Sequence, residues 1–141
     1  MRLIVVLGVV LLLAACGDDE GGGSADASAA SELAGSTYTS TSVTGRELVD
    51  GAPLTLQFTD DGISANAGCN TMSATATWTD GTLEVDGDAM AMTQMACDDA
   101  LMEQDIWLSE FLTSSPKLTA GDDELVLEGD GVTLTFEEQG P

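Results

Sequence analysis

The sequence predicts an α+β fold: a single small domain in which a curled, mainly antiparallel β-sheet of short strands has one α-helix packed across it. Short runs of alternating apolar and polar residues recur along the chain, separated by turn sequences such as Asp80-Gly81. That pattern is typical of antiparallel hairpins. Residues 98–112 instead have apolar side chains at helical spacing. An antiparallel sheet covered by a single helix belongs to the α+β class.

The first fifteen residues have the pattern of a signal peptide. Arg2 precedes an uncharged apolar run that is too short to span a membrane. The run ends in Leu13-Ala14-Ala15-Cys16, which resembles the lipobox of bacterial lipoproteins. We therefore expect cleavage before Cys16, a lipid on Cys16, and anchoring in the cell membrane on its extracytoplasmic side.

Residues 16–31 are predicted to be an acidic Gly/Ala/Ser tether. They contain no large apolar side chain, so they cannot bury enough surface to fold. A flexible chain of this length averages roughly 20 Å from end to end. The folded domain is predicted over residues 32–138.

Alternating stretches within the domain predict six to eight short strands. The clearest of them are Leu54–Phe58, Ile63–Ala67, Ala74–Trp78, Leu83–Val85, Leu125–Leu127 and Val132–Phe136.

The one convincing helical pattern lies between the predicted strands Leu83–Val85 and Leu125–Leu127. Leu101, Leu108 and Leu112 share one face of the predicted helix. Asp98 can cap its start, and Pro116 follows its end.

The chain has three cysteines. If Cys16 carries a lipid, the other two remain as a possible pair. Cys69 and Cys97 would then lie in an exported, oxidising setting, where a disulfide between them would stabilise the fold by about 3.5 kcal/mol. Two free thiols or soft metal ligands are the alternatives. The chain has no histidine, so a closed metal site would need carboxylates or a second chain. We expect the disulfide and no metal site.

The charge of the chain excludes some partners. There are 25 acidic and 3 basic residues, giving a formal net charge of −22. Such a surface repels nucleic acid and anionic lipid head groups, so no nucleic-acid partner is expected. We interpret the acidic residues as a solvating coat, which leaves weak cation binding open.

Three motifs carry a family resemblance. Gly68-Cys69-Asn70, Thr93-Gln94-Met95-Ala96-Cys97 and Leu101-Met102-Glu103-Gln104-Asp105 follow one another in order. Together they resemble the META domain (HslJ-like) family, from about Leu33 to about Glu137. The resemblance implies a small curled sheet with a helix in exported bacterial proteins, some linked to stress tolerance or motility. It implies no established catalytic residues and no cofactor.

Three polar residues of these motifs form the candidate site. Asp105 falls at the edge of the apolar face of the helix, and a carboxyl group there needs hydrogen-bond partners. Thr93, Asn70 and backbone amides near Gly68 are the candidates. We interpret the cluster of Asn70, Thr93 and Asp105 as a structural network that holds the helix to the cysteine turn. A small polar pocket is the alternative.

The composition leaves little room for catalysis. Without histidine, histidine-based triads are excluded. Pairs of carboxylates arise by chance among so many acids. No catalytic residues are therefore assigned.

Methionines cluster around the second cysteine of the pair, at Met90, Met92, Met95 and Met102. Thioethers can bind copper(I), but methionine more often fills gaps in a core, and a core role is what we expect.

The sequence thus predicts a lipid-anchored, non-enzymatic cell-envelope protein. Its domain would bind an envelope protein partner in an envelope or stress response. The alternative is a surface module that binds a small ligand or a cation. An exposed apolar patch would favour the first hypothesis, and an apolar pocket with converging polar groups would favour the second.

Overall fold

The computed structural model of the protein describes residues 32–140 and contains nine strands, one long helix and a 3₁₀ turn at Gly87–Ala89. The elements in chain order are β1 (Thr37–Thr44), β2 (Thr55–Phe58), β3 (Gly62–Asn66), β4 (Thr71–Thr77), β5 (Glu84–Val85), β6 (Ala91–Met92), α1 (Asp99–Thr113), β7 (Lys117–Ala120), β8 (Glu124–Gly129) and β9 (Val132–Glu138). The predicted α+β fold is confirmed. The predictions for residues 1–31, including the lipid on Cys16, lie outside the described residues. Within residues 32–140, no helix is long and apolar enough to cross a membrane.

All neighbouring strands pair antiparallel, in the order β5-β4-β3-β2-β1-β9-β8-β7, with β6 also beside β4. The two ends of the sheet come together. Thr82, just before β5, forms a bridge with Lys117 of β7, and the Leu83 N–H donates to the Pro116 carbonyl at 3.0 Å. These contacts curl the sheet.

The hairpin between β8 and β9 shows why the turn sequences were informative. Asp130 and Gly131 have φ values of 50° and 76°, and they separate the paired residues Gly129 and Val132. A two-residue hairpin turn with both φ values positive matches the twist of the strands and favours Asp-Gly. The expectation that Asp-Gly sequences form turns between antiparallel strands is confirmed at this hairpin.

The core fills the space between the sheet and α1. The helix contributes Leu108, Phe111 and Leu112, which belong to the same buried cluster as the inward side chains of the strands. The largest fully buried side chains on the strands are Phe58, Phe136, Leu56, Met72, Leu125, Leu127 and Leu134.

Two ends of this molecule differ in chemistry. At one end, called the aromatic end, Tyr38, Phe58 and Trp78 are buried together. The first described residues of the domain lie beside this end, since the Gly35 N–H donates to the Phe58 carbonyl at 2.8 Å. The other end, called the polar end, lies where β3 finishes at Asn66 and β4 begins at Thr71. The candidate residues lie there.

Several details of the prediction were wrong. The sheet has nine strands rather than six to eight, and β1, β6 and β7 were not among the alternating stretches named from the sequence. The helix begins at Asp99, and the side chain of Asp98 makes no capping hydrogen bond. Instead, the Asp98 carbonyl accepts from the N–H groups of Leu101 and Met102, at 3.0 and 3.1 Å.

Candidate functional site: the polar end and its methionine groove

A disulfide fixes the polar end. The structure joins Cys69, in the turn between β3 and β4, to Cys97, which lies just before α1; their Cα atoms are 6.1 Å apart. The bond closes a loop with a sequence separation of 28. The chain that leads into α1 is therefore tied to the turn that leads into β4.

Asn70 joins three segments at this end. Its Oδ1 accepts from the Thr93 hydroxyl at 3.0 Å and from the Met95 N–H at 2.7 Å. Its own N–H and Nδ2 donate to Oδ2 of Asp105, at 2.8 and 3.0 Å. Asn70 and Asp105 are 6% and 1% exposed. The structure thus brings Asn70, Thr93 and Asp105 into one hydrogen-bonded network, in which Asn70 and Asp105 are buried and Thr93 is exposed.

Thr93 extends the network to the sheet. Its hydroxyl accepts from the Thr71 N–H at 3.0 Å, and its own N–H donates to the Thr71 carbonyl at 3.0 Å. Since β6 pairs with β4 just before this point, the segment that follows β6 continues along the start of β4. The polar cluster is therefore built on sheet pairing rather than on a free loop.

Gln104 is a buried polar residue that the sequence analysis missed. Its Nε2 donates to the carbonyls of Ala52 and Ala67, at 3.1 and 2.9 Å, and its Oε1 accepts from the Val49 N–H at 2.7 Å. It is only 1% exposed. Its spacing from Leu101 and Leu108 places it on the apolar face of α1, and that signal could have identified it.

The close approach of α1 to the cysteine turn depends on Gly68. Its φ is +106°, a conformation that L side chains rarely adopt. A Cβ at this position would lie 2.8 Å from the Ala52 Cβ and 3.0 Å from Cδ2 of Leu101. A larger residue would therefore push the helix away from the network.

The surface over the network is a groove lined by methionine. Among residues 32–140, the exposed large apolar side chains are Met92, Met95, Met102 and Ile106, at 36%, 61%, 40% and 55% exposure. All four line one groove of about 430 Å³, together with Asn70 and Asp105. We call it the methionine groove. The expectation that these methionines fill the core is wrong for Met92, Met95 and Met102; Met90 does pack against the core.

One carboxyl oxygen beside this groove has no hydrogen-bond partner. Oδ2 of Asp105 is occupied by Asn70, whereas Oδ1 is buried and accepts no hydrogen bond from any described residue. Buried polar atoms are nearly always paired. Oδ1 is therefore the acceptor that the network leaves for a further donor.

The cations of the described chain lie elsewhere. The Arg46 guanidinium stacks over the Trp107 ring at 4.4 Å, and Lys117 lies 3.7 Å from Glu128. Neither residue lines the methionine groove. Residues 32–140 contain no group of three or more His, Cys, Asp or Glu side chains placed to hold a metal ion.

Comparison with known proteins places this geometry in a family. Residues 31–141 match the model of the META domain. A protein solved by NMR is 27% identical, with 76% of this chain and 92% of that chain covered and a TM-score of 0.62. A protein from Burkholderia xenovorans, also solved by NMR, shares the fold at 23% identity, with 81% and 88% covered and a TM-score of 0.63. No protein with a curated description matches. The chain belongs to the META domain family.

Proposed function

We propose that this protein is a lipid-anchored, non-enzymatic component of the cell envelope whose META domain binds an envelope protein partner through the methionine groove. One observation carries the proposal: the exposed large apolar side chains of residues 32–140 all line the same groove. A concentrated apolar patch on a soluble domain marks an interaction surface. Methionine side chains suit this role because they adapt to the shape of a partner.

The proposed anchor rests on the lipobox-like ending at Cys16 and on where the chain enters the domain. The tether predicted over residues 16–31 leads to the aromatic end, next to Phe58. The methionine groove lies at the opposite end of β2 and β3. An anchored domain therefore has its groove on the side remote from the tether, where other envelope proteins can reach it.

The anchor is tested by changing Cys16. Cys16→Ser should move the protein from the membrane fraction to the soluble fraction, and mass spectrometry of the mature wild-type protein should show a diacylglyceryl group on residue 16. A Cys16→Ser variant that stays in the membrane would contradict the lipid anchor.

A non-enzymatic role is supported by the chemistry of the residues at the polar end. The chain has no histidine to act as a general base. The side-chain oxygens of Asn70 and Thr93, and Oδ2 of Asp105, are engaged with one another or with backbone N–H groups. Their arrangement suits a rigid support for the groove.

Partner binding is tested by photo-crosslinking in intact cells. A photoreactive residue in place of Met102 should give one main adduct with an exported protein, and its yield should rise under envelope stress. The control places the same residue at Glu110, which is exposed on the same helix but does not line the groove. Equal adducts from both positions, or none from Met102, would contradict the proposal.

A second candidate function is the binding of a small amphiphilic ligand. It is favoured by the way polar groups of Asn70 and Asp105 converge beneath an apolar lining. Screening of small cations and amphiphiles by thermal shift tests it. Stabilisation by such a compound that disappears in Met102→Ser would support this candidate.

A further inference from the structure

Only one of the two oxygens of the buried Asp105 carboxyl group accepts hydrogen bonds from the described residues. Asn70 supplies two donors to Oδ2, and Oδ1 receives none from the described residues. Leaving a buried acceptor unpaired is unfavourable, so a ligand that brings a donor to Oδ1 gains affinity. Asp105 is 1% exposed, so the donor must arrive on a slender side chain that moves neighbouring groups aside. Met95 and Met102 line the groove with Asp105, and methionine side chains reorient readily.

The electrostatics of the groove select a cation. The formal net charge of the chain is −22, and Asp98, Asp99 and Glu103 are exposed on or just before the same helix as Met102. Arg46 and Lys117 are the basic residues of the described range 32–140, and neither lines the groove. An approaching cation is attracted and an anion is repelled, which disfavours anionic lipid head groups as well as acidic peptides.

The geometry of the free acceptor distinguishes lysine from arginine. A guanidinium presents a planar fork that pairs best with both oxygens of a carboxylate. At Asp105 only Oδ1 is free, because Asn70 occupies Oδ2. An ammonium group is a compact donor that needs a single oxygen. The methylene stem of lysine packs on apolar surface while its charged tip finds a polar partner.

We propose that the methionine groove recognises a lysine flanked by apolar residues in an exported partner protein. The lysine ammonium donates to Oδ1 of Asp105, and its stem and apolar neighbours pack against Met92, Met95 and Met102. This inference rests on the proposed function, because it names the chemistry of the partner that the same groove binds.

The test measures binding of short peptides to the purified domain by fluorescence anisotropy. A labelled peptide with one central lysine between leucines is compared with the same peptide carrying norleucine, which keeps the stem and lacks the ammonium. The lysine peptide should bind about tenfold more tightly. A peptide with glutamate at the centre should bind more weakly than either.

Matched variants locate the contact. Asp105→Asn keeps an oxygen for Asn70 but removes the charge and offers an N–H group instead of a free acceptor, so it should reduce lysine-peptide affinity by about tenfold. Glu110→Gln removes the same charge from an exposed position of the same helix and should change affinity less than about twofold. Met102→Ser, which does not touch the network hydrogen bonds, should weaken all the peptides alike.

The outcomes separate the two proposals. Equal binding of the lysine and norleucine peptides, or unchanged affinity in Asp105→Asn, overturns the lysine inference. If no peptide binds but the crosslink from position 102 persists in cells, the lysine inference is overturned and the proposed function stands. If no peptide binds and no crosslink forms from position 102 in cells, both the lysine inference and the proposed function are overturned.

Discussion

The aromatic end and the polar end of this small sheet are held together by different kinds of interaction. At the aromatic end, the rings of Tyr38 and Trp78 meet Phe58 edge to face, with centroid distances of 5.9 and 5.0 Å. All three are buried. At the polar end, the buried network of Asn70 and Asp105 and the disulfide hold the segments in place.

The two ends therefore differ in what their apolar side chains do: at the aromatic end they are buried and stabilise the fold, and at the polar end some of them are exposed. The aromatic end gains its stability from apolar area removed from water, and none of the large apolar side chains that the structure describes there is exposed. At the polar end, directional bonds and a covalent link fix the backbone without needing the neighbouring methionines in the core. Those methionines remain exposed at the surface and line the methionine groove.

The largest loss of stability is expected at the aromatic end. Phe58→Ala should lower the free energy of unfolding by about 4 kcal/mol, because it removes a fully buried ring from between two others. Denaturant unfolding measures it, with Phe58→Leu as a control that should lose less. A loss below about 1 kcal/mol would mean that this end is not tightly packed.

Breaking the covalent link at the polar end comes next. The double variant Cys69→Ser/Cys97→Ser should lose about 3.5 kcal/mol, since the loop no longer restricts the unfolded chain. Reduction of the wild-type protein should produce the same shift, and reduction of the double variant should produce none. If the two forms unfold alike, the disulfide does not contribute to stability.

Asn70→Ala tests the hydrogen-bonded part of the polar end. It strips partners from Thr93, Met95 and Asp105 at once, and we expect a loss of about 3 kcal/mol. Asn66→Ala is the matched control, because the described partners of that side chain, Gly68, Asn70 and Thr71, all lie within five residues of it, and it should lose about 1 kcal/mol. Equal losses of stability in the two variants would show that the Asn70 network contributes no more to stability than the local hydrogen bonds of Asn66 do.

A smaller effect should appear at alkaline pH. Burial, with the nearby Glu138 carboxylate as a second cause, raises the pKa of Tyr38 above its ordinary value of 10.0. The unfolded chain therefore loses this proton first, and stability falls as the pH rises through about 10. Tyr38→Phe should flatten the decline in stability between about pH 9 and 11.

Because Tyr38 is the one tyrosine of the chain, tyrosinate absorbance follows its titration directly. A wild-type protein and a Tyr38→Phe variant with the same alkaline slope would contradict this assignment.

The smallest effect on stability is expected in the groove. Met102→Ser should change the free energy of unfolding by less than about 0.5 kcal/mol, since the side chain is 40% exposed. The same variant should bind the lysine-containing peptide more weakly than the wild-type domain does. A large destabilisation would show that Met102 helps to hold the fold together, and it would contradict the claim that the groove methionines contribute little to stability.

The parts of the fold that could be predicted were those fixed by local sequence. Asp130-Gly131 supplies the two positive φ values of a hairpin turn, and the spacing of Leu108 and Leu112 marks the buried face of α1. Strand β1 was missed because its alternation is weak: Tyr38 is its one buried residue in a run of Thr and Ser. Pairing with β2 and β9 on both sides makes it a strand.

The candidate site was only partly predictable for a related reason. Asp105 could be matched with Asn70 because both lie in recognisable motifs. The partners of Gln104 lie 37 to 55 residues away in the sequence, so no local pattern indicated them. The exposure of Met95 and Met102 likewise depends on contacts between distant parts of the chain, such as the hydrogen bond from the Met95 N–H to Asn70 and the disulfide from Cys97 to Cys69.

The most direct test of this account is NMR of the methionine methyl groups during titration with the lysine-containing peptide. Met72 lies on β4, is 1% exposed, and serves as a buried internal control. We predict that the methyl signals of Met92, Met95 and Met102 shift while that of Met72 stays in place. Unchanged groove signals, or equal shifts of all the methionines, would contradict the claim that a rigid polar end presents the methionine groove to a partner.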